Sequence, residues 1–316
     1  MSIRDAATIV LSRDSRTAGS TNEDDPRGIE VFMVRRNLNS DYVGGAYVFP
    51  GGAVDELDRS ERAFSLCAGR DDREASQILE VEEGGLAFWV AAVRECFEEA
   101  GILLAYRTTP DLDLSHSFEP SGAGEASVML KGKDQSEVAS PYLLSDQLES
   151  WRKSLANGEI GFLDLCEREG LKIAADRIEY FSHWLTPKGA PRRYDTRFFV
   201  AAAPTEQVPS HDFSETVDSC WITPRDALRR HAEGSFDIIF PTIRHLEALA
   251  GFCCTADLLK AAAIRRHVPV ICPKVVPVDD QGGIRLLIPG DPDYSEINDV
   301  DPPDEWFPKM RAGDLH

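Results

Sequence analysis

Three glutamates, Glu95, Glu98 and Glu99, follow one another at the spacings of a helix ridge. On a helix that turns about 100° per residue they fall within an arc of roughly 100°, so the three carboxylates share one face. Like charges three and four residues apart destabilise a helix by about 0.2–0.5 kcal/mol per pair, which a bound cation would relieve. Carboxylate oxygens suit hard divalent ions such as Mg²⁺ or Mn²⁺. The cluster therefore predicts a metal site, with a solvated acidic face in which Arg94 pairs with Glu98 as the alternative.

The helix that must carry these carboxylates is predicted over residues 84–100. Trp89 and Phe97 belong to its apolar face, and Gly101 is placed as a C-terminal cap. Upstream, the residues Phe49-Pro50-Gly51-Gly52 end a predicted strand in a turn where two glycines permit backbone conformations closed to other residues. The sequence thus predicts a strand and turn followed, after an interval, by an acidic helix.

The remaining elements mix strands and helices. Apolar or alternating runs with β-branched residues predict strands over 6–11, 29–34, 46–49, 102–106, 177–185 and 196–203. Further helical patterns lie within 145–171, from Thr223 onward and over 241–250. The elements have no regular βαβ rhythm and no Gly-x-Gly-x-x-Gly after a strand, which disfavours a Rossmann fold. A mixed α/β (α+β) fold is predicted.

We predict one main domain over residues 5–250. Within it, residues 59–83 form an insertion, because this acidic stretch shows little apolar periodicity. Residues 108–176 form a loop and helical elaboration of the same domain. Residues 251–316 are predicted to be a C-terminal extension that ends in an acidic, proline-containing tail.

The charge balance excludes several classes of partner. The chain has 54 Asp and Glu residues against 34 Lys and Arg, a formal net charge of −20. No long-range field therefore attracts nucleic acid or an anionic membrane, and no apolar stretch reaches membrane-spanning length. A small negatively charged substrate is still compatible with this charge where bound cations and local arginines reverse the sign inside the site. The oligomeric state does not follow from the sequence, and a homodimer stays open.

The histidines and cysteines provide no second catalytic constellation. Seven cysteines show no zinc-binding spacing, which fits a reducing, cytoplasmic location. His183 and His245 lie among apolar residues and are predicted to be core histidines. The adjacent Cys253 and Cys254 are predicted to be small buried hydrophobic residues.

A specific resemblance begins at Arg94. Residues 94–102 resemble the second half of the Nudix box, Arg-Glu-aliphatic-x-Glu-Glu-x-Gly-aliphatic, at every defined position except Cys96. Gly52 resembles the glycine that opens the box, and Asp58 stands where the box has glutamate. The stretch from Asp58 to Arg94 is much longer than in the compact box, so this box is split.

A split box of this kind resembles the Nudix branch that contains the peroxisomal coenzyme A diphosphatases of animals and bacterial relatives. Residues 184–187, 191–199, 215–221 and 287–291 are similar to later landmarks of that branch. The resemblance implies an α/β/α sandwich with a mixed sheet, Mg²⁺ or Mn²⁺ as cofactor, and hydrolysis of the diphosphate linkage in coenzyme A or an acyl-coenzyme A. Two alternatives stay open: a diphosphatase for nucleoside diphosphate sugars or dinucleotides, and a non-catalytic nucleotide-binding module.

The chemistry of diphosphate hydrolysis suggests a role for each glutamate of the helix and for Arg94. Glu98 and Glu99 are predicted metal ligands, and Glu95 is either a ligand of a second ion or the base that deprotonates the attacking water. Arg94 orients the glutamates through charge-assisted hydrogen bonds, or else forms a surface ion pair. The resemblance adds the carbonyl oxygen of Gly52 as a metal ligand.

Arginines elsewhere in the chain are predicted to bind the substrate. Arg193 and Arg197 alternate along a strand, so both would face one side and grip phosphate, unless they pair with Asp195 or other acids. The resemblance adds Arg35, which fits part of a coenzyme A motif known from another Nudix branch. Glu215, in a predicted loop, is a candidate metal ligand or catalytic base, with a solvated loop residue as the alternative.

Overall fold

The computed structural model describes residues 3–15, 28–38, 44–107, 145–190, 192–212, 216–277 and 284–295. The strands β1 to β12 are, in chain order, Arg4–Asp14, Ile29–Arg36, Tyr47–Val48, Gly51–Ala53, Ala105–Arg107, Leu171–Ile173, Ile178–Leu185, Tyr194–Ala202, Thr216–Ile222, Val270–Ile271, Lys274–Pro277 and Ile284–Leu287. The helices α1 to α8 are Glu61–Ser65, Asp72–Leu79, Leu86–Ala100, Ser145–Ala156, Phe162–Arg168, Pro224–Ala232, Phe240–Leu249 and Thr255–Ala263. Short 3-10 helices span Leu57–Arg59 and Ala175–Arg177.

A mixed sheet forms the centre of the molecule. Its strands follow the spatial order β10, β7, β8, β1, β2, β3, while β4 also pairs with β1 and β9 with β2. β1 runs parallel to β8 and β10 runs parallel to β7, whereas the other pairs of this sheet are antiparallel. The long strand β1 is apolar and buried over most of its length, as expected for a strand covered on both faces.

Helices cover both faces of this sheet and divide the core into two clusters. Successive side chains of a strand point to opposite faces; accordingly Ile9 and Leu11 join the cluster under α3, together with residues of α1, α2, α4 and α5. Val10 joins the cluster under α6, α7 and α8. This arrangement confirms the predicted α/β/α sandwich with a mixed sheet.

The segment 59–83 contributes no strand to the main sheet, but the expectation that it lacks an apolar periodicity is wrong. It forms α1 and α2, and buries Ala63, Leu66, Ala75 and Leu79 against the core that contains α3. The periodicity is easily missed because both helices are short: Ala75 and Leu79 repeat only once at the four-residue spacing of a helix face. The insertion is therefore a packed helical layer that supports α3.

The strand predicted over 102–106 is shorter in the structure, where pairing is confined to β5 and β6. The reason is a buried glutamine. The Gln207 side chain accepts a hydrogen bond from the Leu103 N–H at 2.8 Å and donates one to the Leu103 carbonyl at 3.0 Å. Because one side-chain amide satisfies both backbone groups, this segment is buried without a partner strand at that position.

Elements beyond residue 250 continue the sandwich. α8 packs against β1, β7 and β8, and β10 extends the main sheet, so the first part of the predicted C-terminal extension shares the core. Cys253 is exposed just before α8, which corrects its predicted burial. The predicted loop over 108–140, Glu215 and, beyond residue 295, the acidic tail predicted from Asp291 onward lie outside the described residues. No helix in the described ranges has both the length and the apolar character needed to cross a bilayer.

Candidate active site

The two halves of the split box meet where β4 passes under α3. The Gly51 N–H donates to Glu99 Oε2 at 2.9 Å, and a Cβ on Gly52 would overlap the Glu95 carboxylate. On the other side of the strand, a Cβ on Gly51 would lie 2.5 Å from the Ala7 carbonyl oxygen. Both glycines are thus required by close approach, one to the neighbouring strand and one to the helix. The segment between the box halves loops out and returns. The Gly51-Gly52 turn therefore contacts the carboxylate ridge of α3, which consists of Glu95, Glu98 and Glu99.

Arg94 lies at the centre of this ridge, with only 9% of its surface exposed. Its Nη1 donates to Glu95 Oε1 at 2.8 Å and to Glu98 Oε2 at 3.2 Å, and its Nη2 donates to the Ala53 carbonyl at 2.9 Å. Burial alone would lower the pKa of this guanidinium, but the Asp58 hydrogen bond and the neighbouring carboxylates raise it above its ordinary value. Arg94 is thus buried and does not form the surface ion pair that was the alternative, and its role in orienting the glutamates stays a prediction.

Asp58 holds the other edge of Arg94. Its Oδ1 accepts from Nε at 3.1 Å and its Oδ2 from Nη2 at 2.8 Å, which is the bidentate arrangement that arginine makes with carboxylates. The side chain is buried, and Oδ2 also accepts from the Asp55 N–H at 2.8 Å. The sequence feature that could have identified Asp58 is its place in the split box, at the position where the box has glutamate. Asp58 therefore belongs to the site although it was not among the predicted site residues.

Burial also controls the charges of the glutamates. It raises the pKa of Glu95 to about 7; Arg94 opposes this shift and the charge of Glu98 adds to it. Burial likewise raises the pKa of Glu98, again against Arg94. Both carboxyl groups therefore share one arginine in a setting that disfavours their ionised forms. A cation beside them would stabilise the carboxylates, because an adjacent opposite charge favours ionisation.

The donor set fits a hard divalent ion in its chemistry. Three carboxylates and the backbone of a glycine turn offer only oxygen ligands, as Mg²⁺ and Mn²⁺ prefer. Within the described residues, no group of three or more Asp, Glu, His or Cys side chains converges tightly enough to form a ready metal cage. Glu95 and Glu98 are turned toward Arg94 instead. The ligand roles of Gly52, Glu95, Glu98 and Glu99 therefore stay predictions.

The predicted phosphate-binding arginines occupy three different surroundings. Arg197 is buried, pairs with Asp195 and His183, and lies over the Phe88 ring at 5.1 Å from its centre. Pairing with Asp195 is the structural alternative left open for it, and Phe88 belongs to the first turn of α3 whereas Glu98 and Glu99 lie in the last. Phosphate binding by Arg197 stays a prediction. Arg193 precedes β8, and its Nε donates to the Thr186 carbonyl at 3.1 Å.

Arg35 lies on the opposite face of the sheet from α3, at the end of β2. Its Nε donates to the Gly45 carbonyl at 2.9 Å, and its guanidinium carbon lies 5.7 Å from the centre of the Tyr47 ring. The Tyr47 hydroxyl in turn donates to Asp218 Oδ2 at 2.5 Å. Phosphate binding by Arg35 and Arg193 stays a prediction, and the position of Glu215 lies outside the described part of the chain.

Comparison with known proteins identifies the family. Residues 69–249, more than half of the chain, match the model of the NUDT19 Nudix domain, a match that includes α3 but begins after the Gly51-Gly52 turn. The chain is 28% identical to chicken acyl-coenzyme A diphosphatase NUDT19 and 27% identical to the human protein of that name, in each case over 94% of this chain and 81% of the relative. A putative nudix hydrolase 7 of Caenorhabditis elegans is 22% identical over 86% of this chain and 72% of its own length.

A solved structure supports the fold. A NUDIX hydrolase from Alicyclobacillus acidocaldarius superposes with a TM-score of 0.57 at 24% identity, over 84% of this chain and 98% of the other. Nudix hydrolases generally use divalent metal ions, which agrees with the oxygen donors of the ridge. With its split box joined at β4 and α3, this chain belongs to the NUDT19 Nudix domain family and is a Nudix hydrolase.

Proposed function

We propose that this enzyme hydrolyses the diphosphate linkage of coenzyme A or an acyl-coenzyme A. The products would be adenosine 3′,5′-bisphosphate and phosphopantetheine or its acyl form. The observation that carries the diphosphatase chemistry is the contact of the Gly51-Gly52 turn with Glu95 and Glu99. The choice of substrate is supported by the chicken, human and Xenopus laevis relatives, each named acyl-coenzyme A diphosphatase and each aligned over at least 86% of this chain.

In this proposal Glu98 and Glu99 hold Mg²⁺ or Mn²⁺, with the Gly52 carbonyl as a further ligand. Such an ion neutralises phosphoryl oxygens and increases the acidity of bound water. Glu95 takes part either as a ligand or as the proton acceptor. Burial raises the pKa of Glu95 to about 7, but a cation bound beside it would counteract that shift, so both roles are kept in the proposal.

The reaction balances with water as the only co-substrate. The water oxygen forms a bond to one phosphorus while the bridging P–O bond breaks, and the proton lost from water passes to the base, Glu95 or Glu215. Arg94 keeps its proton throughout, because its carboxylate neighbours stabilise the charged form. Its role is to fix Glu95 and Glu98, with Asp58 behind it.

Substrate choice is tested with a panel of diphosphates under saturating Mg²⁺ and, separately, Mn²⁺. We expect a higher kcat/KM for coenzyme A than for NADH, ADP-ribose or a nucleoside diphosphate sugar. Dephospho-coenzyme A is the matched control, since it lacks only the 3′-phosphate that an arginine fork would bind. Preference for a dinucleotide or a sugar nucleotide over coenzyme A would overturn the substrate and leave the diphosphatase chemistry in place.

The same panel tests the arginines. If Arg193 or Arg35 binds the 3′-phosphate, Arg193→Gln or Arg35→Gln raises KM for coenzyme A and leaves KM for dephospho-coenzyme A nearly unchanged. An equal rise in KM for both substrates would mean that the arginine binds another part of the substrate or stabilises the fold.

A further inference from the structure

The last turn of α3 carries two of the three glutamates, and its backbone needs partners from outside the helix. The final carbonyl groups of a helix can accept hydrogen bonds but find no N–H donor within the helix. Here the Phe97 carbonyl accepts from the N–H of Gly101, which adopts the left-handed conformation at φ 69°, and the Ala100 carbonyl accepts from the Ser210 N–H at 2.9 Å. The carbonyl of Glu98 is bound by a side chain from another helix.

That side chain is Arg152 of α4. Its Nε donates to the Glu98 carbonyl at 2.8 Å, while its Nη1 donates to the Ser210 carbonyl at 2.8 Å, to Ser210 Oγ at 3.1 Å and to the His211 carbonyl at 3.3 Å. One planar guanidinium therefore joins α4, the C-terminal turn of α3 and the segment 210–211. A lysine could not reproduce this, since the rigid fork of arginine is what lets one group bind several carbonyls at fixed angles.

The surroundings of Arg152 enclose its guanidinium closely. Burial lowers the pKa of the Arg152 guanidinium, while the charges of Asp212 and Glu99 oppose that shift. Nη2 is buried and has no hydrogen-bond partner among the described residues. Gly101 leaves room for the group, because a Cβ there would lie 3.1 Å from Nη1. A positive charge at a helix C-terminus is also favoured by the helix dipole.

We propose that Arg152 is a positioning residue for hydrolysis, which fixes the last turn of α3 and thereby the carboxylates of Glu98 and Glu99. The inference rests on the proposed function of those two glutamates as metal ligands. Residues that hold ligands in place typically change metal affinity or activity by roughly 10–100-fold when they are removed. Loosening the turn should therefore weaken metal binding while leaving substrate contacts made elsewhere unaffected.

The test measures Mn²⁺ binding to the full chain in the absence of substrate, from the electron paramagnetic resonance signal of free Mn²⁺. Arg152→Met is expected to raise the Kd for Mn²⁺ on the order of tenfold or more and to lower kcat with little change in KM. Arg152→Lys keeps the charge but not the fork, so it should restore only part of the affinity. Unchanged Mn²⁺ affinity in Arg152→Met, or full restoration by lysine, would overturn the positioning role.

Arg70→Met is the matched control. Arg70 is also a largely buried arginine that donates to a backbone carbonyl, that of Ala175, but it packs against Trp89 at the other end of α3. We expect this variant to lose thermal stability and to bind Mn²⁺ like the wild type. Equal losses of Mn²⁺ affinity in both variants would mean that any buried arginine has this effect, and would reject the inference.

Two outcomes separate this inference from the proposed function. If Arg152→Met does not fold, as judged by near-ultraviolet circular dichroism, the comparison of Arg152→Lys with the wild type decides: wild-type Mn²⁺ affinity rejects the inference and weakened affinity supports it. If the wild type binds Mn²⁺ but does not cleave coenzyme A, the proposed substrate fails while the role of Arg152 is still decided by the binding data. A wild type that binds no Mn²⁺ overturns the inference together with the ligand roles of Glu98 and Glu99.

Discussion

At the scale of single residues, the site depends on how Arg94 is held. Its guanidinium is buried between Asp58 on one side and Glu95 and Glu98 on the other. The two glutamates are shared with the proposed metal, whereas Asp58 has no other proposed role. Asp58 is therefore the residue at which the positioning of Arg94 can be altered without removing a proposed ligand.

Asp58→Asn removes the bidentate partner and leaves the arginine charge under-compensated. Breaking a buried ion pair from one side typically costs about 3–5 kcal/mol, so we expect the free energy of unfolding to fall by up to this amount and kcat/KM to fall with it. Asp58→Glu, which restores the acid expected in the box, should retain most of both. Urea denaturation and initial rates measure the effect, and an asparagine variant as stable and active as the wild type would rule out this role.

His245 gives a prediction about pH. It is fully enclosed on the face opposite α3, where Nδ1 contacts the Pro241 carbonyl at 2.6 Å and Nε2 contacts Ser182 Oγ at 2.5 Å. Burial lowers its pKa to about 4, against the opposing effect of the Pro241 hydrogen bond. The folded-state pKa is thus below that of the unfolded chain, so its contribution to stability is present above pH 6.5 and is lost as pH falls toward 4.

A shift of this size corresponds to about 3 kcal/mol at most. The measurement is the free energy of unfolding at pH 7.5 and pH 5.0 for the wild type and for His245→Gln. We expect the variant to be less stable at pH 7.5 and to show a smaller loss between the two pH values. An identical pH dependence in both proteins would show that His245 does not cause it.

The site residues that the sequence predicts best are those that lie close to one another along the chain. Glu95, Glu98, Glu99 and Arg94 lie within one helical turn or two, so their spacing alone puts them on one ridge. Arg152 was not predicted because its contacts join segments that are far apart in the chain, and no period in the sequence records such a contact. Asp58 was signalled only by its place in the split box, since its contact with Arg94 also joins distant segments. For Arg197 the strand was predicted from the sequence, but its surroundings were not. Its contact with the Phe88 ring depends on how α3 crosses the sheet.

At the scale of elements, long strands were predicted from the sequence, whereas the two short helices of the insertion were not. Strands such as β1, β2, β7 and β8 were predicted because long apolar or alternating runs identify them. α1 and α2 were not, because short helices give too few repeats for a clear pattern and their acidic residues dominate the segment. Because α1 and α2 pack against the core, substitutions of their buried residues should destabilise the fold, whereas a loop would tolerate them.

Leu79→Ala tests that claim. Leu79 ends α2 with 4% of its surface exposed, and truncating a buried leucine typically costs about 2–5 kcal/mol. Leu57→Ala is the matched control, because Leu57 lies just before the insertion but is 68% exposed, and its truncation should cost close to nothing. Midpoints of urea unfolding compare the two, and equal midpoints would mean that the helical layer does not support the core.

At the scale of the whole molecule, the charge of −20 opposes the approach of an anionic substrate. Salt screens such repulsion, with a Debye length of about 10 Å at 0.1 M. Under saturating Mg²⁺, raising NaCl from about 10 mM to about 150 mM should therefore lower KM for coenzyme A and change kcat little. A KM that rises steeply over this range would indicate that a basic surface attracts the substrate, contrary to this account.

The central claim is that the ridge of α3, joined to the Gly51-Gly52 turn, performs a metal-dependent cleavage of a diphosphate linkage. Its most direct test is the initial rate of coenzyme A cleavage with Mg²⁺, with both products quantified, in the wild type, Glu98→Gln, Glu99→Gln and the exposed control Glu82→Gln. We expect each ridge variant to lose activity on the order of 100-fold or more while remaining folded, because each removes a charge proposed to hold the metal. The control should match the wild type, and near-normal rates in both ridge variants would contradict the claim.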